Sequence, residues 1–298
     1  MTLSVRTGGS RAVLAFLRER YLPLYPVYLT LWVAAVESLT VVLAGGSWRP
    51  DGDTVLRILA LISAGAFLRM VDDVKDLDYD RQYNPTRPLV ENRITVRELQ
   101  AAMIPAAGAA VLLALMISPL AAAVLSAALC YGLVLWVIDV KVAWVRERPI
   151  VSLVVVCPAQ FLVTAFIMVG QPGIGMITWW RLIAVPVVFT SAFMHVEFAR
   201  KTTRSTQVID PHSYSASIGV TPSAVIGTAF GVFAVVLELA LTAPWAPAAW
   251  LPAAAVVLPC YSAWCFLRRR RDDYPQSWPT VFVVFFYLSI VVQGLIHH

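Results

Sequence analysis

The chain has 298 residues, of which 59% are hydrophobic and only 14% are charged, and its formal net charge at pH 7 is +5. An ordinary soluble domain has about 25% charged residues, so this composition excludes that class and indicates a polytopic membrane protein. The basic residues are spread over the predicted connections. The positive charge therefore favours contact with anionic lipid headgroups and argues against nucleic acid as a partner.

Nine apolar stretches are candidate transmembrane helices, because a helix needs about 20 mostly apolar residues to cross a bilayer. In chain order they are Leu22–Ala44, Val55–Met70, Leu99–Ile117, Leu120–Ile138, Ile150–Val169, Trp180–Val196, Ala224–Leu241, Trp250–Leu267 and Val281–Ile296. This predicts an all-α fold with nine transmembrane helices around a central cavity, in a single domain spanning 1–298. We expect a cytoplasmic N-terminal arm at 1–20 and two polar cytoplasmic loops, at 71–98 and 197–222.

The distribution of basic residues predicts the orientation. If the N-terminus is cytoplasmic and the nine spans alternate, every Lys and Arg except Arg49, Arg57 and Arg181 falls on the inner side. Cytoplasmic connections of membrane proteins carry an excess of Lys and Arg, so we expect the cell inner membrane with the C-terminus outside. The two richest inner connections follow the second and sixth spans. A pseudo-repeat of two four-helix halves would place both over one cavity, with an active site that faces the cytoplasm.

The connection after the second span contains five carboxylates within nine residues: Asp72, Asp73, Asp76, Asp78 and Asp80. On a helix, Asp72, Asp76 and Asp80 fall at i, i+4 and i+8 and share one face. Like charges in that arrangement repel each other, whereas a divalent cation is stabilised by them. The pattern predicts a Mg²⁺ site, and the alternative is a solvated acidic loop between two helices.

The connection after the sixth span begins with a second charged group, in which Glu197 lies three and four residues before Arg200 and Lys201. This spacing is compatible with simple salt bridges at a helix end. The other interpretation is that Glu197 is a further metal ligand while Arg200 and Lys201 bind phosphate oxygens directly.

Carboxylates with Arg and Lys at the mouth of an apolar bundle fit an amphiphilic diphosphate, and isoprenyl diphosphates have a charged head and a long hydrocarbon tail. Mg²⁺ would offset the charge that develops on departing diphosphate. The allylic cation left behind would be stabilised by aromatic faces, which attract cations by about 0.5–2 kcal/mol each.

The residues Asp72-Asp73-x-x-Asp76-x-x-x-Asp80, followed by TRPLVENRIT at 86–95, resemble the first signature of the UbiA-type intramembrane prenyltransferases. In that family, Asn-Asp-x-x-Asp-x-x-x-Asp precedes Asn-Arg-Pro-Leu. The resemblance implies Mg²⁺ as cofactor, with an isoprenyl diphosphate and an aromatic or lipid-like acceptor as substrates. The implied metal ligands are Asp72, Asp73, Asp76, Asp80 and Glu197, of which all but Asp73 are also expected to be catalytic. The implied diphosphate-binding residues are Arg69, Lys75, Arg87, Lys141, Arg200 and Lys201.

The chain departs from the family pattern in three places, one of which is the region around Lys141, where the usual Leu-Lys-Arg pattern after a Tyr is absent. Asp72 stands where the family usually has Asn, and the second signature, normally two Asp residues four apart, is here Glu-x-x-Arg-Lys from Glu197. It resembles a divergent branch of the family. Three functions therefore stay open: a prenyltransferase, a UbiA-type terpene cyclase in which the tail's own alkene captures the cation, and a transporter. A transporter is disfavoured because most charges lie in one-sided loops rather than at membrane depth.

Overall fold

The computed structural model describes residues 9–204, 213–243, 248–269 and 272–297. Within these ranges the regular elements are helices, and one isolated β-bridge joins Thr203 to Asp273. The helices are α1 Ser10–Arg20, α2 Leu24–Leu43, α3 Gly52–Lys75, α4 Leu77–Tyr83, α5 Val96–Ile117, α6 Pro119–Lys141, α7 Ala143–Arg146, α8 Pro149–Met168, α9 Trp179–Arg200, α10 Tyr214–Ile218, α11 Val220–Thr242, α12 Trp250–Ala255, α13 Val257–Arg269 and α14 Ser277–Ile296, and a short 3₁₀ helix covers Ile174–Met176.

The prediction of an all-α fold with nine spans is confirmed: in the part of the chain that the structure describes, nine helical segments are long and apolar enough to cross a membrane. Large apolar side chains such as Ile104, Leu112 and Met116 are exposed on α5. Such side chains are stable outside water only against lipid or another apolar surface, so this multi-pass membrane protein presents α5 to the bilayer.

The eighth predicted span is present as one apolar segment, Trp250–Arg268, in which α12 and α13 meet at Val256. Pro259 has no backbone N–H and cannot donate to the carbonyl of Ala255, four residues earlier. The helical hydrogen bond to the Ala255 carbonyl is therefore missing where α12 and α13 meet.

The two polar connections are more helical than the predicted loops at 71–98 and 197–222. α3 continues to Lys75 and α9 continues to Arg200, so the first charged residues of each connection extend the preceding span. Residues 205–212 of the second connection lie outside the described ranges, as do residues 1–8 of the predicted N-terminal arm.

The described residues form two compact units. The first comprises the described part of Met1–Thr30 together with Asp51–Val142, and the second the described parts of Leu31–Pro50 and Ala143–His298. The chain passes between them three times: within α2, after Pro50 and after Val142.

In the first unit, local sequence signals define where the helices start. Asp51 and Thr54 form a capping box at the start of α3, and Thr95 and Glu98 form another at the start of α5. Each box satisfies backbone N–H groups that have no partner inside the helix. Ser118 caps α6, where its Oγ accepts a hydrogen bond from the Ala121 N–H at 3.0 Å.

In the second unit, small residues on α11 allow close contact with α9. A Cβ atom at Gly227 would lie 2.7 Å from the Cβ of Phe198, and one at Gly231 would lie 3.1 Å from the His195 ring. His195 Nδ1 is also 2.8 Å from the Gly227 carbonyl oxygen. Membrane helices commonly approach each other through small residues, and this contact fixes the end of α9, where Glu197 lies.

Candidate functional site

The acidic segment of the first unit has a helix break at Asp76, between α3 and α4. Helical hydrogen bonding nevertheless continues across the break, since the Asp76 N–H donates to the Asp72 carbonyl at 2.9 Å and the Asp80 N–H to the Asp76 carbonyl at 2.8 Å. The i, i+4 relation that the spacing predicted is therefore present in the backbone. The four aspartates predicted as metal ligands in this segment differ in the burial of their side chains. Those of Asp72 and Asp76 are 54% and 39% exposed, whereas Asp73 and Asp80 are buried.

The buried carboxylate of Asp73 lies between two arginines. Arg20 of α1 donates from Nε at 2.9 Å and from Nη2 at 3.1 Å, and Arg69 donates from Nη2. Arg69 also donates from Nη1 to the Tyr25 hydroxyl at 3.3 Å. Both oxygens of Asp73 are therefore engaged by cations, one of which is Arg69, a residue predicted to bind diphosphate.

The buried carboxylate of Asp80 stabilises the turn that follows α4. Asn84 donates to its Oδ1 at 3.0 Å, and Arg87 donates to its Oδ2. Burial raises the pKa of the Asp80 carboxyl, and the hydrogen bonds from Arg87 and Asn84 oppose that rise. Arg87, another predicted diphosphate ligand, is thus paired with Asp80.

The two exposed carboxylates have a cation between them. The Lys75 ammonium is 3.8 Å from Asp72 Oδ1 and 3.5 Å from Asp76 Oδ1. A positive group already occupies the place where a metal ion bridging these oxygens would lie. Proteins usually hold Mg²⁺ through one or two carboxylates, while substrate phosphates and water complete its shell. The donor set of Asp72 and Asp76 therefore fits Mg²⁺ bound together with a phosphate ligand.

The described residues do not form a complete metal site by themselves. Among the described residues, no three His, Cys, Asp or Glu side chains come together in a way that could hold a metal ion. The acidic segment offers a pair of carboxylates, not a complete set of protein ligands.

In the second unit, Glu197 has several partners at the end of α9. Arg200 donates from Nη2 to Oε1 at 2.8 Å and from Nε to Oε2 at 3.1 Å, and the Lys201 ammonium is 3.0 Å from Oε1. The Tyr214 hydroxyl donates to Oε1 at 3.5 Å. The side chain of Glu197 is only 13% exposed, while that of Arg200 is 57% exposed.

Residues that precede and follow the range 205–212 form hydrogen bonds at the end of α9. The Lys201 carbonyl accepts hydrogen bonds from the Tyr214 N–H at 3.0 Å and from the Ser213 hydroxyl at 3.2 Å. Thr203 donates from its N–H to the Ser215 hydroxyl at 3.1 Å and from its hydroxyl to Asp273 at 2.8 Å. These contacts hold Tyr214 against Glu197 and Lys201.

Sequence reasoning missed three polar partners: Arg20, Asn84 and Tyr214. Asn84 follows Asp80 by four residues, so helical spacing could have suggested that contact. Arg20 lies 53 positions from Asp73 and carries no local signal of the pairing. Lys141, the remaining predicted diphosphate ligand, is exposed at the end of α6.

Comparison with known proteins places this arrangement in a family. The family model of the UbiA prenyltransferases matches residues 24–290, a range that includes every predicted site residue. The chain belongs to the UbiA prenyltransferase family. This membership confirms the resemblance seen in the first acidic signature and the prediction of a membrane-embedded enzyme. Curated protein sequences give no match to the chain.

Solved UbiA-type structures share the fold of this UbiA-family chain. A structure of digeranylgeranylglyceryl phosphate synthase is 14% identical, covers 95% of this chain and 99% of its own, and has a TM-score of 0.61. The apo structure of a UbiA homolog from Aeropyrum pernix K1 is 15% identical, with coverages of 90% and 96% and a TM-score of 0.60. A UbiA homolog from Archaeoglobus fulgidus bound to DMAPP and Mg²⁺ is 14% identical, with coverages of 90% and 98% and a TM-score of 0.59.

Proposed function

We propose that this UbiA-family protein catalyses Mg²⁺-dependent transfer of an isoprenyl group from an isoprenyl diphosphate to an acceptor within the membrane. The observation that carries the proposal is the pair of exposed carboxylates, Asp72 and Asp76, on either side of the Lys75 ammonium. The Archaeoglobus fulgidus homolog was solved with Mg²⁺ and either DMAPP or GPP, which are isoprenyl diphosphates. The same ligand class suits two carboxylates that need phosphate oxygens to complete a magnesium shell.

Four of the five carboxylates predicted as metal ligands lie in the acidic segment, and they divide into two roles. Asp72 and Asp76 would hold Mg²⁺, because their oxygens are exposed and face one cation. Asp73 and Asp80 would position the segment through their arginine partners. Bound Mg²⁺ supplies Lewis-acid stabilisation of the charge that develops on the leaving diphosphate, an effect of several kcal/mol.

The basic residues predicted to bind diphosphate near the acidic segment also have two roles, phosphate binding and positioning of a carboxylate. Lys75 would move from the carboxylates to a phosphate oxygen once metal and substrate bind, because an ammonium on a four-carbon stem can shift between nearby anions. Lys141 is exposed and would serve as a second phosphate contact. Arg69 and Arg87 keep Asp73 and Asp80 in place.

The proposal includes an orientation. The N-terminus would face the cytoplasm and the C-terminus the outside of the cell inner membrane, because that arrangement leaves only three basic residues on the outer side. The charged diphosphate head of the substrate would approach the acidic segment from the cytoplasmic side. The isoprenyl tail would enter the apolar part of the membrane domain.

Product analysis tests the function directly. Purified protein in detergent is incubated with Mg²⁺ and radiolabelled DMAPP, GPP, farnesyl or geranylgeranyl diphosphate, with and without aromatic and lipid-like acceptors. We expect diphosphate release and a prenylated product only when an acceptor is present. A cyclic hydrocarbon or terpene alcohol formed without an acceptor would instead identify a UbiA-type terpene cyclase. Failure to consume any of the four diphosphates under either condition would contradict both activities.

A further inference from the structure

The charged cluster at the end of α9, defined here as Glu197, Arg200 and Lys201, differs from the acidic segment in how its carboxylate is used. A carboxylate has about four lone-pair positions on its two oxygens. Oε1 of Glu197 is approached by Arg200 Nη2 at 2.8 Å, Lys201 Nζ at 3.0 Å and the Tyr214 hydroxyl at 3.5 Å. Oε2 is approached by Arg200 Nε at 3.1 Å and Nη2 at 3.0 Å. A metal ion could bind Glu197 only by displacing these donors.

The charge of the cluster also opposes a cation. One carboxylate and two cations leave a formal charge of +1, whereas Asp72, Asp76 and Lys75 together carry −1. A Mg²⁺ ion would be repelled by the first group and attracted by the second. The chemistry of the cluster therefore does not fit the metal ligation that the family signature implies for Glu197.

The same geometry suits an anion. Arg200 is 57% exposed and Lys201 is 26% exposed on their side chains, so both cations can be reached from solvent while Glu197 holds them at fixed places. The Lys201 ammonium also lies 5.1 Å from the centre of the Tyr214 ring. The ring packs beside the ammonium and limits the directions in which it can move. Guanidinium and ammonium groups held side by side are phosphate-binding groups.

We infer that the Glu197–Arg200–Lys201 cluster is a metal-independent diphosphate-binding site in which Glu197 is a positioning residue and not a metal ligand. Arg200 and Lys201 contact phosphate oxygens directly, and Mg²⁺ enters only through Asp72 and Asp76. This inference rests on the proposed function for the identity of its ligand. It deepens that function by distinguishing phosphate bound directly by Arg200 and Lys201 from phosphate bound through Mg²⁺ at Asp72 and Asp76.

Inorganic pyrophosphate is the probe, because its binding needs no turnover. Its affinity for the full-length protein in detergent is measured by calorimetry in EDTA and again with Mg²⁺. We expect measurable binding in EDTA, weakened about tenfold or more in Arg200→Gln and in Lys201→Gln, the effect of losing one charge-assisted hydrogen bond. Arg181→Gln, at the other end of α9, is the matched control and should bind as the wild type does. Absence of wild-type binding in EDTA overturns the inference.

Glu197→Gln separates positioning from metal ligation. Removing a negative charge by itself strengthens anion binding. If Glu197→Gln nevertheless binds pyrophosphate more weakly than wild type in EDTA, the cause is lost positioning of Arg200 and Lys201. Stronger binding by this variant would overturn the positioning role of Glu197. The factor by which Mg²⁺ strengthens pyrophosphate binding should stay at the wild-type value in Glu197→Gln and fall toward one in Asp76→Asn. A fall in both variants would make Glu197 a metal ligand. Pyrophosphate binding with these dependences but no turnover of any isoprenyl diphosphate would leave the inference standing while the proposed function fails.

Discussion

Arg20 donates two hydrogen bonds to Asp73, at 2.9 and 3.1 Å, and so fastens α1 to the last turn of α3. The contact joins residues 53 positions apart and neutralises a carboxylate that the sequence motif presents as a metal ligand. α1 has two further links to this region. Glu19 pairs with Arg93, and the Gly9 N–H donates to Glu98 at 3.1 Å. The region of α1 therefore contacts the acidic segment through Arg20, and it contacts the first turn of α5 and the residues before it through Gly9 and Glu19.

Replacement of the buried carboxylate tests this role. Asp73→Asn should lower the stability of the folded protein by about 3 kcal/mol, because it leaves two partly buried arginines without their anion. Thermal unfolding in detergent should occur at a clearly lower temperature than in wild type. Asp72→Asn is the control, since its carboxylate is 54% exposed and should lose activity with little change in unfolding temperature. The reverse pattern would contradict the division of roles between Asp72 and Asp73.

The proposed metal ligand Asp76 has a close control in the same segment. Asp76→Asn should lower kcat/KM by about a hundredfold or more, since loss of about 3 kcal/mol of charge stabilisation corresponds to that factor. Asp78→Asn removes an equal charge from a side chain that is 93% exposed and should stay within about twofold of wild type. Steady-state kinetics at saturating Mg²⁺ give both values. Equal activity in the two variants would remove Asp76 from the site.

Lys75 occupies the position between the two proposed metal ligands, so its removal should have opposite effects on metal and substrate. Lys75→Gln should lower the Mg²⁺ concentration for half-maximal activity by roughly two- to tenfold, because the carboxylates lose a competing cation. The same change should raise KM for the diphosphate, because a phosphate contact is lost. Activity titrated against Mg²⁺ and against substrate separates these effects. An increased Mg²⁺ requirement would show that Lys75 does not compete with the metal.

The exposed pair Glu19–Arg93 should give a small, pH-dependent stabilisation. The hydrogen bond from Arg93 lowers the pKa of Glu19 below its ordinary value of 4.5. A group whose pKa is lowered on folding adds stability above its unfolded pKa and loses it as the pH falls through the folded value. The difference in unfolding temperature between wild type and Arg93→Gln should therefore be present at pH 7 and shrink below about pH 4.5. A difference that grows on acidification would contradict the pairing.

Much of the fold could be predicted from local sequence. The nine spans follow from hydropathy and length, because a segment in the bilayer must be apolar and must satisfy its own backbone hydrogen bonds. The start of α5 is readable as Thr95 with Glu98 three residues later, which is a capping-box pattern. The eighth span is also present as predicted, and Pro259 is the local sequence signal for the junction of α12 and α13 at Val256 within it.

The amino-acid sequence by itself determined the nine apolar stretches and the four-residue spacing of the carboxylates, because hydropathy and helical periodicity depend on neighbouring residues. The resemblance to the UbiA family came from the acidic signature. Tertiary structure alone decided which carboxylates are exposed. Asp73 and Asp80 are buried against arginines, whereas Asp72 and Asp76 are not. A motif specifies which residue types occur at which spacing, but the availability of a carboxylate for metal depends on its burial and on partners such as Arg20, which lies 53 positions from Asp73.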